Sequence, residues 1–265
     1  MDFEYIARHW YAHWYENTET WTTDVEFLLR TLKEQGVPRG ARLLEIACGG
    51  GRIAIPLAKA GFDVTGFDRD EHMLLNCYRK ARGVSNLRCC QMDAEAGDWG
   101  EGYDAVVFAG NLLINIESDM DYKESQKLFI RKAVAVLKPG GHLYLDFDLH
   151  FDPARVFHNP NGRGEREYAD DLGTVGRMCG YGSIYDPITQ VCAGASHTSF
   201  TTNNGETFVV PRLMRKHIPT QAQVYNWLRS AGLEIEAAYR NFTNEPLPEP
   251  ITEGTFRATI WAVKP

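Results

Sequence analysis

The chain has 265 residues, of which 44% are hydrophobic, 12% aromatic and 24% charged, a composition that excludes a disordered polymer. Twenty-eight Lys and Arg against 35 Asp and Glu leave a formal charge of −7, which excludes a protein built to grip phosphate backbones by bulk charge. No run of apolar residues is long enough to span a bilayer, so no membrane partner is expected.

The N-terminal stretch MDFEYIARHWYAHWYENTE has neither a basic n-region nor an apolar h-region, so it does not read as a signal peptide. Its aromatic residues, Tyr5, Trp10, Tyr11, Trp14 and Tyr15, suit a first helix within residues 1–20. Val25 to Gln35 has helical spacing and stops at Gly36 with Pro38 beyond. Arg42 to Cys48 is a short apolar run closed by three glycines and reads as a buried strand. A short helix from Ile53 to Ala60 admits Pro56 in its first turn. A strand (Phe62 to Phe67), a helix (Asp70 to Arg82) and two strands (Asn86 to Gln91, Tyr103 to Phe108) follow. An amphipathic helix from Tyr122 to Leu137 stops at Lys138-Pro139-Gly140-Gly141, and His142 to Phe147 is a fifth strand. Strand–helix alternation with short connections predicts an α/β fold with a doubly wound parallel sheet.

The alternation then breaks. Residues 151–172 are polar and rich in Gly and Asn, and three extended segments at about 174–185, 190–201 and 206–217 are separated by turns at Asp186-Pro187 and Asn203-Asn204-Gly205. These segments predict an antiparallel β flap inserted in the α/β domain. A helix (Gln221 to Ala231) and two closing strands (Leu233 to Tyr239, Thr255 to Val263) bring the predicted sheet to seven strands. The expected organisation is one domain over 1–265, with an N-terminal helical lid (1–35), a core (36–150 and 218–265) and an insertion (151–217) over the acceptor site. The six cysteines (Cys48, Cys77, Cys89, Cys90, Cys179, Cys192) form no CxxC and no regular framework, which predicts free thiols in a reducing cytoplasm.

The turn Glu45-Ile-Ala-Cys-Gly49-Gly50-Gly51-Arg52 joins the first strand to a helix, where glycines let the backbone approach a ligand. Gly49, Gly51 and Ala54 even satisfy a dinucleotide fingerprint, whereas a P-loop is excluded because no Lys-Ser/Thr follows. Three acids point away from a nicotinamide cofactor. Glu45 stands inside the strand four positions before the first glycine, Asp68 ends the second strand, and Asp93 ends the third. With the later Leu137-Lys-Pro-Gly-Gly141, these four elements in order resemble a class I S-adenosylmethionine-dependent methyltransferase with a Rossmann-like fold. The resemblance covers about residues 40–150.

The resemblance implies roles. Glu45, Ala47, Gly49 and Gly51 would line the methionine part of S-adenosylmethionine, Asp68 would hold the ribose hydroxyls, Arg69 and Met73 would flank the adenine, and Asp93 and Ala94 would meet its edge. Ala109, Gly110 and Asn111, after the fourth strand, would stand where methyl group and acceptor meet. Gly50 departs from the Thr or Ser common in the family's turn. The Asn-Pro-Pro-Tyr type of motif is absent, and Gly110-Asn111 together with the element order resembles glycine N-methyltransferase and sugar-amine N-methyltransferases. In glycine N-methyltransferase-like enzymes an Arg after the fifth strand grips the amino acid's carboxylate. That position falls on or near Asp148 here, so glycine is not the expected acceptor.

The expected chemistry is transfer of a methyl group to a small-molecule acceptor, an amine or amino sugar, releasing S-adenosylhomocysteine, with no metal and no nucleic acid. Asn111, Asp146, Asp148 and His150, at or just beyond carboxyl ends of strands, are the candidate catalytic residues, whereas His142 opens the fifth strand and reads as structural. Tyr11 or Tyr15 could touch the cofactor from the helical lid, and the flap could pair two subunits. Three alternatives stay open: an O-methyltransferase acting on a natural-product hydroxyl, a cofactor-binding module without chemistry, and a nicotinamide-dependent oxidoreductase.

Overall fold

The computed structural model describes residues 2–265. The chain divides into two compact units, one of residues up to Thr20 with Asp152–Ile218, the other of Trp21–Phe151 with Pro219–Pro265.

In the larger unit, helix α2 (Thr23–Glu34) puts Val25, Phe27, Leu28 and Leu32 into the core. The chain continues through β1 (Arg42–Ile46), α3 (Ala54–Lys59), β2 (Asp63–Asp68), α4 (Glu71–Lys80), β3 (Leu87–Gln91), β4 (Tyr103–Phe108), α5 (Leu112–Asn115), α6 (Tyr122–Val136) and β5 (Leu137–Asp148). After the second unit it resumes with α8 (Gln221–Ser230), β10 (Glu234–Arg240) and β11 (Arg257–Val263). These strands form one seven-stranded sheet in the order β10-β11-β5-β4-β1-β2-β3. The pairs among β1 to β5 are parallel, and β11 runs antiparallel to both β5 and β10. Central strands β1 and β4 are buried almost throughout, as expected of parallel strands covered on both faces, which is why they read as unbroken apolar runs. The order reverses between β1 and β4, so a crevice opens there at the carboxyl ends of the strands.

In the smaller unit, helix α1 (Phe3–Thr18) is capped by Asp2, whose side chain accepts the Tyr5 N–H. Trp10 of α1 is fully buried, donates its indole N–H to the Tyr168 carbonyl at 3.0 Å and meets the Phe200 ring edge-on. A Cβ at Gly176 would stand 2.4 Å from the indole, so only glycine lets that strand pass beneath it. Beyond the short helix α7 (Pro153–Phe157), strands β6 (Gly164–Ala169), β7 (Val175–Asp186), β8 (Val191–Thr201) and β9 (Thr207–His217) form an antiparallel meander.

Three details differ from the sequence reading. The flap has four strands, not three, because β6 pairs with β7 along its whole length. Its Gly-Glu-Arg-Glu-Tyr-Ala sequence is exposed on both faces of an edge strand and shows no alternation. Strand β5 begins at Leu137, not His142. Leu137 pairs with Tyr103 across an irregularity, and Gly140, with φ +75°, donates its N–H to Lys264 O, so the Pro-Gly-Gly segment is absorbed into the sheet. Helices α5 and α7 have too few residues to leave a periodic signal. All six cysteines are free thiols, and no helix among the described residues is long and apolar enough to cross a membrane.

Candidate active site

The crevice is built around two tight turns in the larger unit. The first follows β1. Ala47 adopts φ +56°, a left-handed conformation that a residue with a Cβ holds only under constraint. Gly49 (φ +51°) and Gly51 (φ +77°) continue the turn. A Cβ at Gly49 would lie 2.9 Å from Met73 Cε, and one at Gly51 2.7 Å from Cys77 Sγ, so the turn is pressed onto α4 and has no space for side chains. Beneath it Glu45 is buried with Oε2 unpartnered, and burial pushes its carboxyl well above the ordinary range against the opposing pull of Arg52. Arg52 is held by both oxygens of the buried Asp24, at 2.7 and 2.6 Å, and stands over the Trp21 ring.

Asp68, at the end of β2, ties the turn to its neighbour strand. Its Oδ2 accepts the Gly49 N–H at 2.9 Å and its Oδ1 the Asp70 N–H at 2.8 Å. Burial raises its pKa more than those hydrogen bonds lower it. Ala47, Asp68, Arg69, Asp93 and Ala94 line one cavity of about 210 Å³, whose apolar side is made by Met92, Leu112, Ile116 and Phe129. Arg69 pairs with Glu117, also on the lining. Asp93 Oδ1 caps the Glu95 and Ala96 N–H groups, and the Ala94 carbonyl is fixed by Lys132 Nζ at 2.6 Å and by the Trp99 indole.

The second turn follows β4. Gly110 (φ +65°) and Asn111 (φ +67°) are both left-handed. Their N–H groups donate to the fully buried Asp146, Gly110 to Oδ2 at 3.2 Å and Asn111 to Oδ1 at 3.1 Å. The Asn111 carboxamide bridges to Asp148, donating from Nδ2 to Oδ2 at 2.7 Å and accepting the Asp148 N–H at 2.8 Å. Arg257, opposite Asp148 in the β5–β11 register, reaches Asp146 Oδ1 at 3.1 Å and Asp148 Oδ1 at 2.8 Å. Burial raises Asp146 to about 6 although Arg257 lowers it.

The family profile described as a methyltransferase domain matches residues 43–141, which hold both turns. A protein of Geobacillus sp. (strain WCH70), provisionally assigned as a methyltransferase, is 38% identical over 251 residues, 93% of this chain and 96% of its own length. The chain belongs to the class I S-adenosylmethionine-dependent methyltransferases. Two other relatives match over only about half of their length. YqeM of Bacillus subtilis (strain 168), also a provisional assignment, is 36% identical over 47% of this chain and 49% of its own. The glycine/sarcosine N-methyltransferase of Aphanothece halophytica is 30% identical over 57% and 58%. Among solved structures, an S-adenosylmethionine-dependent methyltransferase from Clostridium acetobutylicum shares the fold with a TM-score of 0.71 at 16% identity, over 96% of this chain and 97% of that one. The sugar N-methyltransferase KedS8 from Streptoalloteichus sp. shares it at 0.69 and 18%, over 96% and 92%.

The residues of this methyltransferase fit S-adenosylmethionine. A buried carboxylate oxygen without a partner, a turn that a Cβ would fill and a cavity bearing Asp68 and Asp93 converge at the carboxyl ends of β1 to β3. Glu45, Ala47, Gly49 and Gly51 stand at the glycine turn, Asp68, Arg69, Asp93 and Ala94 on the cavity, and Met73 against Gly49. Ala109, Gly110 and Asn111 follow β4 directly.

Asp146 and Asp148, expected to face the acceptor, have all four of their oxygens engaged by backbone N–H groups, by Asn111 or by Arg257. His150 is half-buried just beyond β5, and burial lowers its pKa against the opposing pull of Asp148. Tyr11 donates to or accepts from Thr198 Oγ1 at 2.6 Å in the smaller unit, where Tyr15 is partly exposed. His142 stacks on Trp261 and pairs with Glu236. Sequence reasoning missed Asp24, Arg52 and Arg257. Arg52 was visible as a charge closing the glycine turn, whereas nothing local marks Arg257.

Proposed function

We propose that this methyltransferase methylates an amine nitrogen of a small molecule that carries no carboxylate beside the amine. The observation that carries the reading is the character of the second turn. Asp146 and Asp148 outnumber the single guanidinium of Arg257 and occupy it, so an acceptor carboxylate finds no cation there, whereas a cationic amine meets net negative charge. The glycine/sarcosine N-methyltransferase relative adds support for nitrogen as the target.

S-adenosylmethionine supplies an activated methyl group for in-line displacement. The chain's own contribution is alignment and exclusion of water. Glu45 and the glycine turn hold the donor's amino-acid part, and Asp68 holds the ribose. The Gly110–Asn111 turn presents the acceptor. His150, whose lowered pKa keeps its imidazole neutral at physiological pH, takes the proton that an ammonium must lose before it attacks.

The test is a screen of small amines and amino sugars beside glycine and hydroxyl acceptors, reading release of S-adenosylhomocysteine. Turnover of an uncharged-tail amine, with none of glycine, is expected. Turnover confined to hydroxyl acceptors or to glycine would overturn the reading.

A further inference from the structure

The Arg257 guanidinium is itself held with unusual care. The Asn241 side chain accepts the Phe256 and Arg257 N–H groups at 3.0 and 3.1 Å, and its Nδ2 donates to the Gly254 carbonyl. Asn241 and Phe242 are consecutive left-handed residues, at φ +57° and +55°. Such a conformation in a buried Phe costs backbone energy that the surroundings must offset. It sets the Phe242 ring 5.4 Å from the Arg257 guanidinium carbon, with Trp21 and Phe27 packed on the ring as well. A strained Phe242 and its aromatic shelf thus fix one cation, whose ion-pair partners among the described residues are the carboxylates that hold the Gly110–Asn111 turn.

We infer that Arg257 is a positioning residue for methyl transfer. Through Asp146 and Asp148 it locks the left-handed backbone of Gly110 and Asn111 and the Asn111 carboxamide in the geometry that presents the acceptor. The inference rests on the reading of this turn as the acceptor site. The geometry makes Arg257 the counter-charge of a buried carboxylate whose two oxygens each receive a turn N–H. The groups facing Asp146 include Arg257 from β11, Asp24 from α2, the buried Tyr144 phenol of its own strand and the two N–H groups of the turn after β4. Without Arg257, a carboxylate buried beside Asp24 takes up a proton more readily and its hold on the turn weakens. A misplacement of the turn by about 1 Å is then expected to cost on the order of 100-fold in the chemical step.

The experiment uses the full chain, ¹⁵N-labelled and saturated with S-adenosylhomocysteine. In the wild type the Gly110 and Asn111 amide resonances are expected to titrate together with a midpoint at about 6. Asp146→Asn removes that titration. Arg257→Gln moves the midpoint upward by at least about one pH unit. Arg257→Lys, which keeps the charge but loses the two-pronged fork, shifts it upward by less and serves as the second variant if Gln prevents folding. On the amine panel, Arg257→Gln lowers kcat at least about tenfold while the S-adenosylhomocysteine Kd stays within about twofold, and Arg257→Lys restores part of the loss. A midpoint unmoved in both Arg257 variants overturns the inference, as does an unchanged kcat. A wild type that turns over no amine counts against the amine reading alone, and the amide titration then decides the role of Arg257.

Discussion

The two turns of the crevice have similar backbones and opposite economies of charge. Around the glycine turn, a buried carboxyl oxygen is left unengaged. Glu45 Oε2 has no partner, while each oxygen of Asp68 accepts one backbone N–H. Around the Gly110–Asn111 turn, every oxygen of Asp146 and Asp148 is engaged by the protein itself. The first arrangement waits for a ligand, while the second fixes its own backbone and lets the ligand meet a rigid surface. A buried carboxylate in a methyltransferase crevice is therefore to be judged by its unspent hydrogen-bonding capacity and not by its position at a strand end.

The largest expected effect that would break this contrast lies at the glycine turn. Gly51→Val places a branched side chain at φ +77°, 2.7 Å from Cys77 Sγ at its first carbon, and is expected to abolish S-adenosylhomocysteine binding in calorimetry. Glu45→Gln removes the unpartnered carboxyl oxygen and should weaken that binding by about 10- to 100-fold, as loss of a hydrogen bond to a charged group does. If Asp146→Asn weakened it as much, the two turns would not be distinct. Instead Asp146→Asn is expected to spare cofactor affinity and to change the pH dependence of stability. The folded chain raises this carboxyl to about 6, so it binds a proton there that the unfolded chain releases at lower pH. The contribution of Asp146 to stability therefore falls as pH rises from the ordinary carboxylate range to about 6. Thermal melts of wild type and Asp146→Asn should diverge across that window and run parallel above it. Comparable with Glu45→Gln is His150→Gln, which should lower kcat by about 100-fold without changing cofactor affinity. In the wild type, activity should rise with pH through the region below the ordinary histidine value, because the neutral imidazole is the active form. The smallest effect is expected for Tyr11→Phe, which removes one hydrogen bond to Thr198 and should cost about 1 kcal/mol in denaturant melts.

The sheet was legible because its central strands are buried on both faces and are followed by short helices, so the apolar runs and glycine stops survive in the sequence. The cofactor half was legible for a related reason. Glu45, the glycines, Asp68 and Asp93 each belong to a strand end, and consecutive strand ends meet in a parallel sheet. Strand β6 escaped because an exposed edge strand needs no alternation. The brace on the second turn escaped for a topological reason. Asp146 and Arg257 are 111 positions apart and meet only because β11 runs antiparallel beside β5. Asp24 and Arg52 likewise belong to a helix and a turn whose sequences give no sign of the other.

The placement of Arg257 on β11 also bears on how the enzyme comes into being during synthesis. Strands β1 to β4, with the glycine turn and the adjoining cavity, come from one contiguous stretch of chain and need only neighbours to pair. The brace on the second turn waits for a residue made 111 positions after Asp146, on the order of 10 s later at ordinary rates of elongation. A nascent chain can thus complete the elements of its glycine turn well before its second turn is braced.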